Sequence, residues 1–121
     1  MTASITDAEA IVMEVLWTSA PRTTEEILAA VTTTQAWQLG TVKSLLNRLL
    51  KKNAVKAEQE GRRYLYTPLI SRDDYLSSES AGLLDRLFGG RVAPLVAHFS
   101  AHRPLSKRDI AELRKLLDRL E

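Results

Sequence analysis

The chain has 121 residues, 45% of them hydrophobic, which suffices for one compact domain plus a smaller appended element and is too apolar for a disordered chain. Its net charge of +2 and pI near 9.1 are only mildly basic, so nucleic-acid binding has to rest on where the charges lie and not on their sum. The lack of cysteine excludes disulfides, thiolate metal ligands and a cysteine nucleophile. No apolar run approaches the roughly twenty residues of a membrane span, and MTASITDAEA lacks the layout of a signal peptide, so a cytoplasmic protein without membrane insertion is expected.

Thr6-Asp7-Ala8-Glu9 has the capping-box pattern, in which a threonine hydroxyl and a glutamate carboxylate three residues on satisfy each other's backbone N–H groups. Ile11, Val12, Val15 and Leu16, with Trp17 at the margin, then give an apolar face and predict a first helix over about residues 7–19, ended by Ala20-Pro21. Thr23-Thr24-Glu25-Glu26 repeats the signal, and Ile27, Leu28 and Val31 supply the buried face of a second, short helix. A third helix is read from WQLGTVKSLLNRLLKKN. Here Val42, Leu45, Leu46, Leu49 and Leu50 recur at three- and four-residue steps and form one stripe that must pack on a core. The opposite face carries Thr41, Lys43, Ser44, Asn47, Arg48, Lys51 and Lys52, with no acidic residue anywhere over 27–57. Two segments rich in β-formers follow, Val55–Glu60 and 64–68. They flank Glu60-Gly61-Arg62-Arg63 and predict a hairpin whose tip presents Arg62 and Arg63.

A basic helix face on its own is most simply a solvated face. A basic hairpin directly after it changes the reading. A helix that hides one side and offers hydroxyl, amide and cationic groups on the other suits the major groove of B-DNA, whose base edges accept such donors. Two arginines at a hairpin tip suit a phosphate backbone or a narrow minor groove. Three helices and a hairpin in this order predict a mainly α (α+β) chain headed by a winged helix-turn-helix DNA-binding domain. In that arrangement the second helix crosses the backbone, so Thr24 near its start is a phosphate contact through its hydroxyl or neighbouring amides. Trp37, just before the third helix, is read as a packing residue.

After Pro68 the character changes. Ser71-Arg72-Asp73-Asp74 caps a helix continuing to about Phe88, with Tyr75, Leu76, Leu83, Leu84, Leu87 and Phe88 apolar, before Gly89-Gly90 breaks it. A shorter helix carries Val92, Leu95, Val96 and Phe99, with Pro94 in its first turn, and His102-Arg103-Pro104 marks a loop. The last helix, capped by Ser106 and Asp109, has the stripe Ile110, Leu113, Leu116, Leu117 and Leu120. Three short amphipathic helices make a thin core alone. Residues 71–121 are therefore read as a helical dimerisation region, with Leu83, Leu87, Phe88, Val92, Leu95, Val96, Phe99 and the last-helix stripe meeting a second copy, after a DNA-binding domain at 1–70. A two-fold homodimer reads two half-sites on one duplex, so double-stranded DNA with an inverted-repeat operator is the expected target.

Other chemistry finds little support. There is no GxSxG, P-loop, nucleotide fingerprint or HExxH, and the paired carboxylates Glu25-Glu26 and Asp73-Asp74 sit at predicted helix starts, where the helix dipole accounts for them. Neither an enzyme nor a cofactor is expected. His98 and His102 are four apart and can share a helix face as half of a metal site. Three or four ligands are normally needed, however, and Pro104 puts His102 at a helix end, so the sequence assigns no metal.

ITDAEAIVMEVLW, TTEEIL, TVKSLLNRLLKKNAV, RRYLYTPLISRDDY, LFGGRVAPLVAHF and LSKRDIAELRKLLDRL, in this order, carry a resemblance to the penicillinase-repressor (BlaI/MecI) family of bacterial regulators over nearly the whole chain. The opening ITxAExxVMxxLW and closing LSxxxIxELRxLL are its most distinctive parts. The resemblance implies a dimeric winged-helix repressor that sits on dyad-symmetric operators and blocks transcription of resistance genes such as β-lactamases. It also implies release by proteolysis, triggered by a membrane-bound sensor-protease. The family's DNA-reading positions fall on Gly40, Thr41, Lys43, Ser44 and Arg48, with wing contacts near Arg62 and Arg63. Gly40 departs from the lysine often found there. The family's Asn-Phe cleavage point aligns with His98-Phe99, where the phenylalanine is kept and the asparagine is not. A copper-responsive branch carries cysteines near its carboxyl end, and this chain has none. The competing reading is a winged-helix adaptor whose basic face meets an acidic protein, or a relative answering to a different signal.

Overall fold

The computed structural model describes residues 4–121. It contains α1 (Asp7–Thr18), α2 (Thr24–Val31), α3 (Leu39–Lys51), β1 (Val55–Glu60), β2 (Arg63–Pro68), α4 (Arg72–Phe88), α5 (Val92–His102) and α6 (Lys107–Leu120). The chain divides into two compact units between Leu76 and Ser77, inside α4. Among the described residues no helix is long and apolar enough to cross a membrane.

Both capping boxes form. The Thr6 hydroxyl accepts the Glu9 N–H at 3.2 Å while Glu9 Oε1 accepts the Thr6 N–H at 2.8 Å, and Thr23 and Glu26 repeat the exchange at 3.2 and 2.9 Å. These bonds satisfy N–H groups that a helix start otherwise leaves without partners, and so fix where α1 and α2 begin. At the far end of α3, Asn53 takes the left-handed conformation (φ +58°), which lets the Ala54 N–H bond the Leu49 carbonyl at 2.9 Å and turns the chain into β1.

The core of the first unit gathers Val12, Met13 and Leu16 from α1, Ile27 from α2, Val42, Leu45, Leu46 and Leu49 from α3, and Ala54 and Val55 beyond it. The α3 stripe is as the periodicity predicts, except that Leu50 lies at its partly buried edge. On α1 the buried face is rotated from the one expected. Ile11 and Val15 lie at its margin, whereas Met13 and the carboxylate of Glu9 are fully inside. A buried carboxylate needs a partner. Lys52 supplies it, its ammonium bridging Glu9 Oε1 and the Ser4 carbonyl, the latter at 2.8 Å. Burial by itself raises the Glu9 carboxyl, but hydrogen bonds from Lys52 and Thr6, with the ammonium's charge, outweigh it and hold the group below the usual carboxylate value.

β1 and β2 pair antiparallel from Val55↔Pro68 to Glu60↔Arg63. The turn is therefore only Gly61-Arg62, with Gly61 at φ +63°, a region glycine enters without a Cβ penalty. Arg63, expected at the tip, belongs instead to the ladder, and its guanidinium lies 3.1 Å from Glu60. A short bridge adds a third strand-like segment: the Arg22 N–H bonds the Tyr66 carbonyl at 3.1 Å and the Tyr66 N–H bonds the Arg22 carbonyl at 2.8 Å. The wing is thus tied to the link between α1 and α2. The first turn of α4 also packs on α1. The Trp17 indole N–H donates to the Ile70 carbonyl at 2.9 Å, its ring meets Tyr75 at 5.3 Å between centroids, and Arg72 reaches Glu14 at 3.1 Å.

The second unit comprises the rest of α4 with α5 and α6. Gly89 and Gly90 both have positive φ, and the Gly90 N–H returns to the Leu84 carbonyl at 2.8 Å, which closes α4 before α5 starts. Ser106 caps α6 by accepting the Asp109 N–H at 3.0 Å. None of the side chains of α4, α5 or α6 is fully buried. Leu87, Val92, Phe99, Ile110, Leu116, Leu117 and Leu120 all remain exposed, while Phe88, Leu95, Val96 and Leu113 are partly covered.

Candidate nucleic-acid interface

Because the apolar stripe of α3 is spent on the core, helical geometry points the opposite face outward. Gly40, Thr41, Lys43, Ser44, Asn47 and Arg48 are all exposed on it. Among the described residues neither Lys43 nor Arg48 is engaged in an ion pair, so both ammonium and guanidinium are available to an external anion.

Where this face meets α2 and the wing lies a polar groove of about 260 Å³. It is lined by Thr24, Glu25, Lys43, Asn47, Arg62, Arg63, Tyr64 and Tyr66. The groove joins five of the residues singled out in the sequence: Thr24 on α2, Lys43 and Asn47 on α3, Arg62 in the turn and Arg63 on β2. Thr24 is only 8% exposed, so its place is the groove wall and not an open helix end. Gly40, Thr41, Ser44 and Arg48 continue the same α3 face beyond the groove lining. Lys52 does not join them. Its ammonium turns to Glu9 and Ser4, because the last turn of α3 lies beside the start of α1, and the expectation that it contacts DNA gives way to a structural role.

Three lining residues went unread in the sequence. Tyr64 and Tyr66 stand two apart on β2, and strand alternation places both on one face, a signal present in RRYLY once the register is known. Glu25 lies in the first turn of α2, as the helix-dipole reading expects, but it also faces the groove. Its neighbour Glu26 is occupied differently. Hydrogen bonds from Thr23, backbone first, hold its carboxyl below the usual value, and the charges of Arg63 and Arg22 add to this.

The donor set fits duplex DNA. Lysine and arginine bind phosphate oxygens or the O6 and N7 of guanine, asparagine matches the N6 and N7 of adenine, and serine and threonine hydroxyls serve either. An outward polar helix packed behind by two others and flanked by a basic wing defines the first unit as a winged helix-turn-helix DNA-binding domain.

Residues 5–119 match the family model for the penicillinase repressor, and the chain belongs to that family. The penicillinase repressor of Bacillus licheniformis is 35% identical over 114 residues, which span 94% of this chain and 89% of that protein. The solution structure of the DNA-binding domain of the repressor BlaI aligns with a TM-score of 0.56 at 37% identity, covering 62% of this chain and 92% of that one. The solution structure of monomeric Bacillus licheniformis BlaI in complex with the blaP half-operator aligns with a TM-score of 0.54, with the same identity and coverage. These named relatives are repressors.

Proposed function

We propose that this protein is a cytoplasmic homodimeric repressor that binds an inverted-repeat operator through α3 and the wing, and so blocks transcription of resistance-type genes. The observation that carries the reading is the outward face of α3, whose Lys43 and Arg48 lack ion-pair partners among the described residues beside a groove walled by Arg62 and Arg63. Monomeric BlaI engages a half-operator, which supports one winged head per half-site here. The second copy meets the apolar side chains that α4, α5 and α6 leave exposed, including Leu83, Leu87 and Phe99. Release follows cleavage at His98-Phe99 by a membrane-bound sensor-protease. That bond lies within α5, so the helix has to open locally before a protease reads it as extended chain.

The test is fluorescence anisotropy on the DNA upstream of the protein's own gene, against scrambled DNA, over a range of salt. Tight, sequence-dependent binding is expected, with affinity falling steeply with salt as phosphate contacts release counterions. Weak binding indifferent to sequence would instead fit an adaptor for acidic proteins. Lys43→Ala and Arg48→Ala should each weaken operator binding by about 1–3 kcal/mol, roughly 5- to 150-fold, without lowering stability, since both side chains lie off the apolar stripe. Unchanged affinity in both variants would remove α3 as the reading element.

Glu25 acts in the opposite sense. A carboxylate among Lys43, Arg62 and Arg63 repels phosphate and is tolerated best where a base edge donates to it, as cytosine N4 does. Glu25→Gln should therefore raise affinity for scrambled DNA about two- to fivefold, the scale of one screened surface interaction, and so narrow the operator's advantage. A ratio that stays the same in competition assays would leave Glu25 with its helix-dipole role alone.

A further inference from the structure

The two histidines of the chain stand on consecutive turns of α5 and face each other. The helix extends through His102, and the Arg103 N–H closes it onto the Phe99 carbonyl at 2.6 Å, so His102 keeps helical register with His98. Their ring centroids are 4.5 Å apart with planes inclined at 38°, and Phe88 lies 6.4 Å from His98. Both residues are exposed. Among the described residues no hydrogen bond or ion pair engages either imidazole. By helical periodicity the pair lies on one flank of the stripe formed by Val92, Leu95, Val96 and Phe99, away from its crest.

Two imidazoles at positions i and i+4 are the arrangement by which a single helix offers two nitrogen donors to one ion. With metal–nitrogen distances of about 2.0–2.1 Å and tetrahedral angles, the donor nitrogens lie about 3.4 Å apart and the ring centroids about 5 Å apart. The observed separation is close to this, and small side-chain rotations bridge the difference. We propose that His98 and His102 form a bidentate site for a divalent transition-metal ion of the zinc or copper class, one ion per chain. Imidazole donors select such ions over magnesium or calcium, which prefer oxygen. No cluster of three or more His, Cys, Asp or Glu suited to a metal occurs among the described residues, so the remaining coordination positions are open to water and the ion exchanges freely. Bound there, it links residues 98 and 102 and fastens the turn that begins at the His98-Phe99 bond. That consequence for release rests on the proteolysis proposed above, whereas metal binding does not.

The experiment is calorimetric titration of the full chain with zinc chloride, and separately copper chloride, in a non-coordinating buffer, with magnesium chloride as control. One ion should bind per chain, magnesium should give no signal, and zinc should raise the helical circular dichroism. His98→Ala and His102→Ala should each cut affinity at least about tenfold, because the surviving imidazole loses the high effective concentration of its neighbour. The double variant, left with no imidazole, should bind neither zinc nor copper at millimolar concentration. Both positions are exposed and alanine favours helix, so unliganded spectra should be unchanged. Absence of binding at millimolar zinc and copper, or binding that survives the double substitution, overturns the proposal.

Discussion

Replacing Leu117 and Leu120 together by aspartate is expected to leave a folded monomer whose affinity for a two-half-site operator falls by about 10²- to 10⁴-fold. In the single chain these side chains are 60% and 73% exposed, so the substitution removes little of the chain's own packing. Its effect falls on the contact with a second copy, where two carboxylates would have to lose water against apolar surface without partners. The affinity loss follows from geometry. Once one head of a dimer is bound, the other meets its half-site at a high effective concentration, and a monomer forfeits this. Sedimentation equilibrium together with anisotropy on whole and half operators tests the expectation. Affinity for the half operator should stay the same, since α3 and the wing are untouched. A variant that still sediments as a dimer would move the interface away from α6.

Lys52→Met should destabilise the first unit by about 3–5 kcal/mol, the usual cost of leaving one member of a buried ion pair without its counter-charge. The Glu9 side chain has no solvent exposure, and its Oε2 has no hydrogen-bond partner among the described residues, so the carboxylate depends on Lys52 and the Thr6 N–H at its other oxygen. Urea titration of the variant measures the loss. Adding Glu9→Gln to Lys52→Met should recover part of it, because both charges are then gone. If Lys52→Met unfolds at the same urea concentration as the parent, the pair contributes nothing. The pH dependence has a definite sign. The folded carboxyl lies below its unfolded value of about 4.3, so its contribution is fully present above that pH and is lost as pH falls through the folded value. The Glu9→Gln protein should lack this component of acid unfolding.

The features legible in the sequence are those whose physics is local. A capping box is a bargain between residues three apart, so Thr6 with Glu9 and Thr23 with Glu26 announce α1 and α2 before any tertiary contact is known. The stripe of α3 is likewise local. Period 3.6 decides which side must be buried, and Thr41, Lys43, Ser44, Asn47 and Arg48 follow as the outward face. A glycine between two β-rich segments suffices for a hairpin, though not for its register. The rotation of α1 is not legible in the sequence, because a glutamate counts as polar in helical periodicity and only a cation from another element lets it lie inside.

The order and polarity of three helices and a basic wing, and with them the winged-helix class, are written in the amino-acid sequence. Tertiary structure alone decided which charges remain free for a ligand. Lys43 and Lys52 are indistinguishable as members of a basic helix face, yet one opens into the groove and the other is held by a carboxylate 43 residues away. Arg62 and Arg63 are neighbours, and only the register of β1 on β2 puts one in the turn and the other in the ladder. The groove itself draws on α2, α3 and β2, so Glu25, Tyr64 and Tyr66 join it only when those elements pack. The physical reason is range: hydrogen bonds within a turn and helical periodicity are written in adjacent residues, whereas the partner of a long charged side chain is set by the packing of elements far apart in the chain.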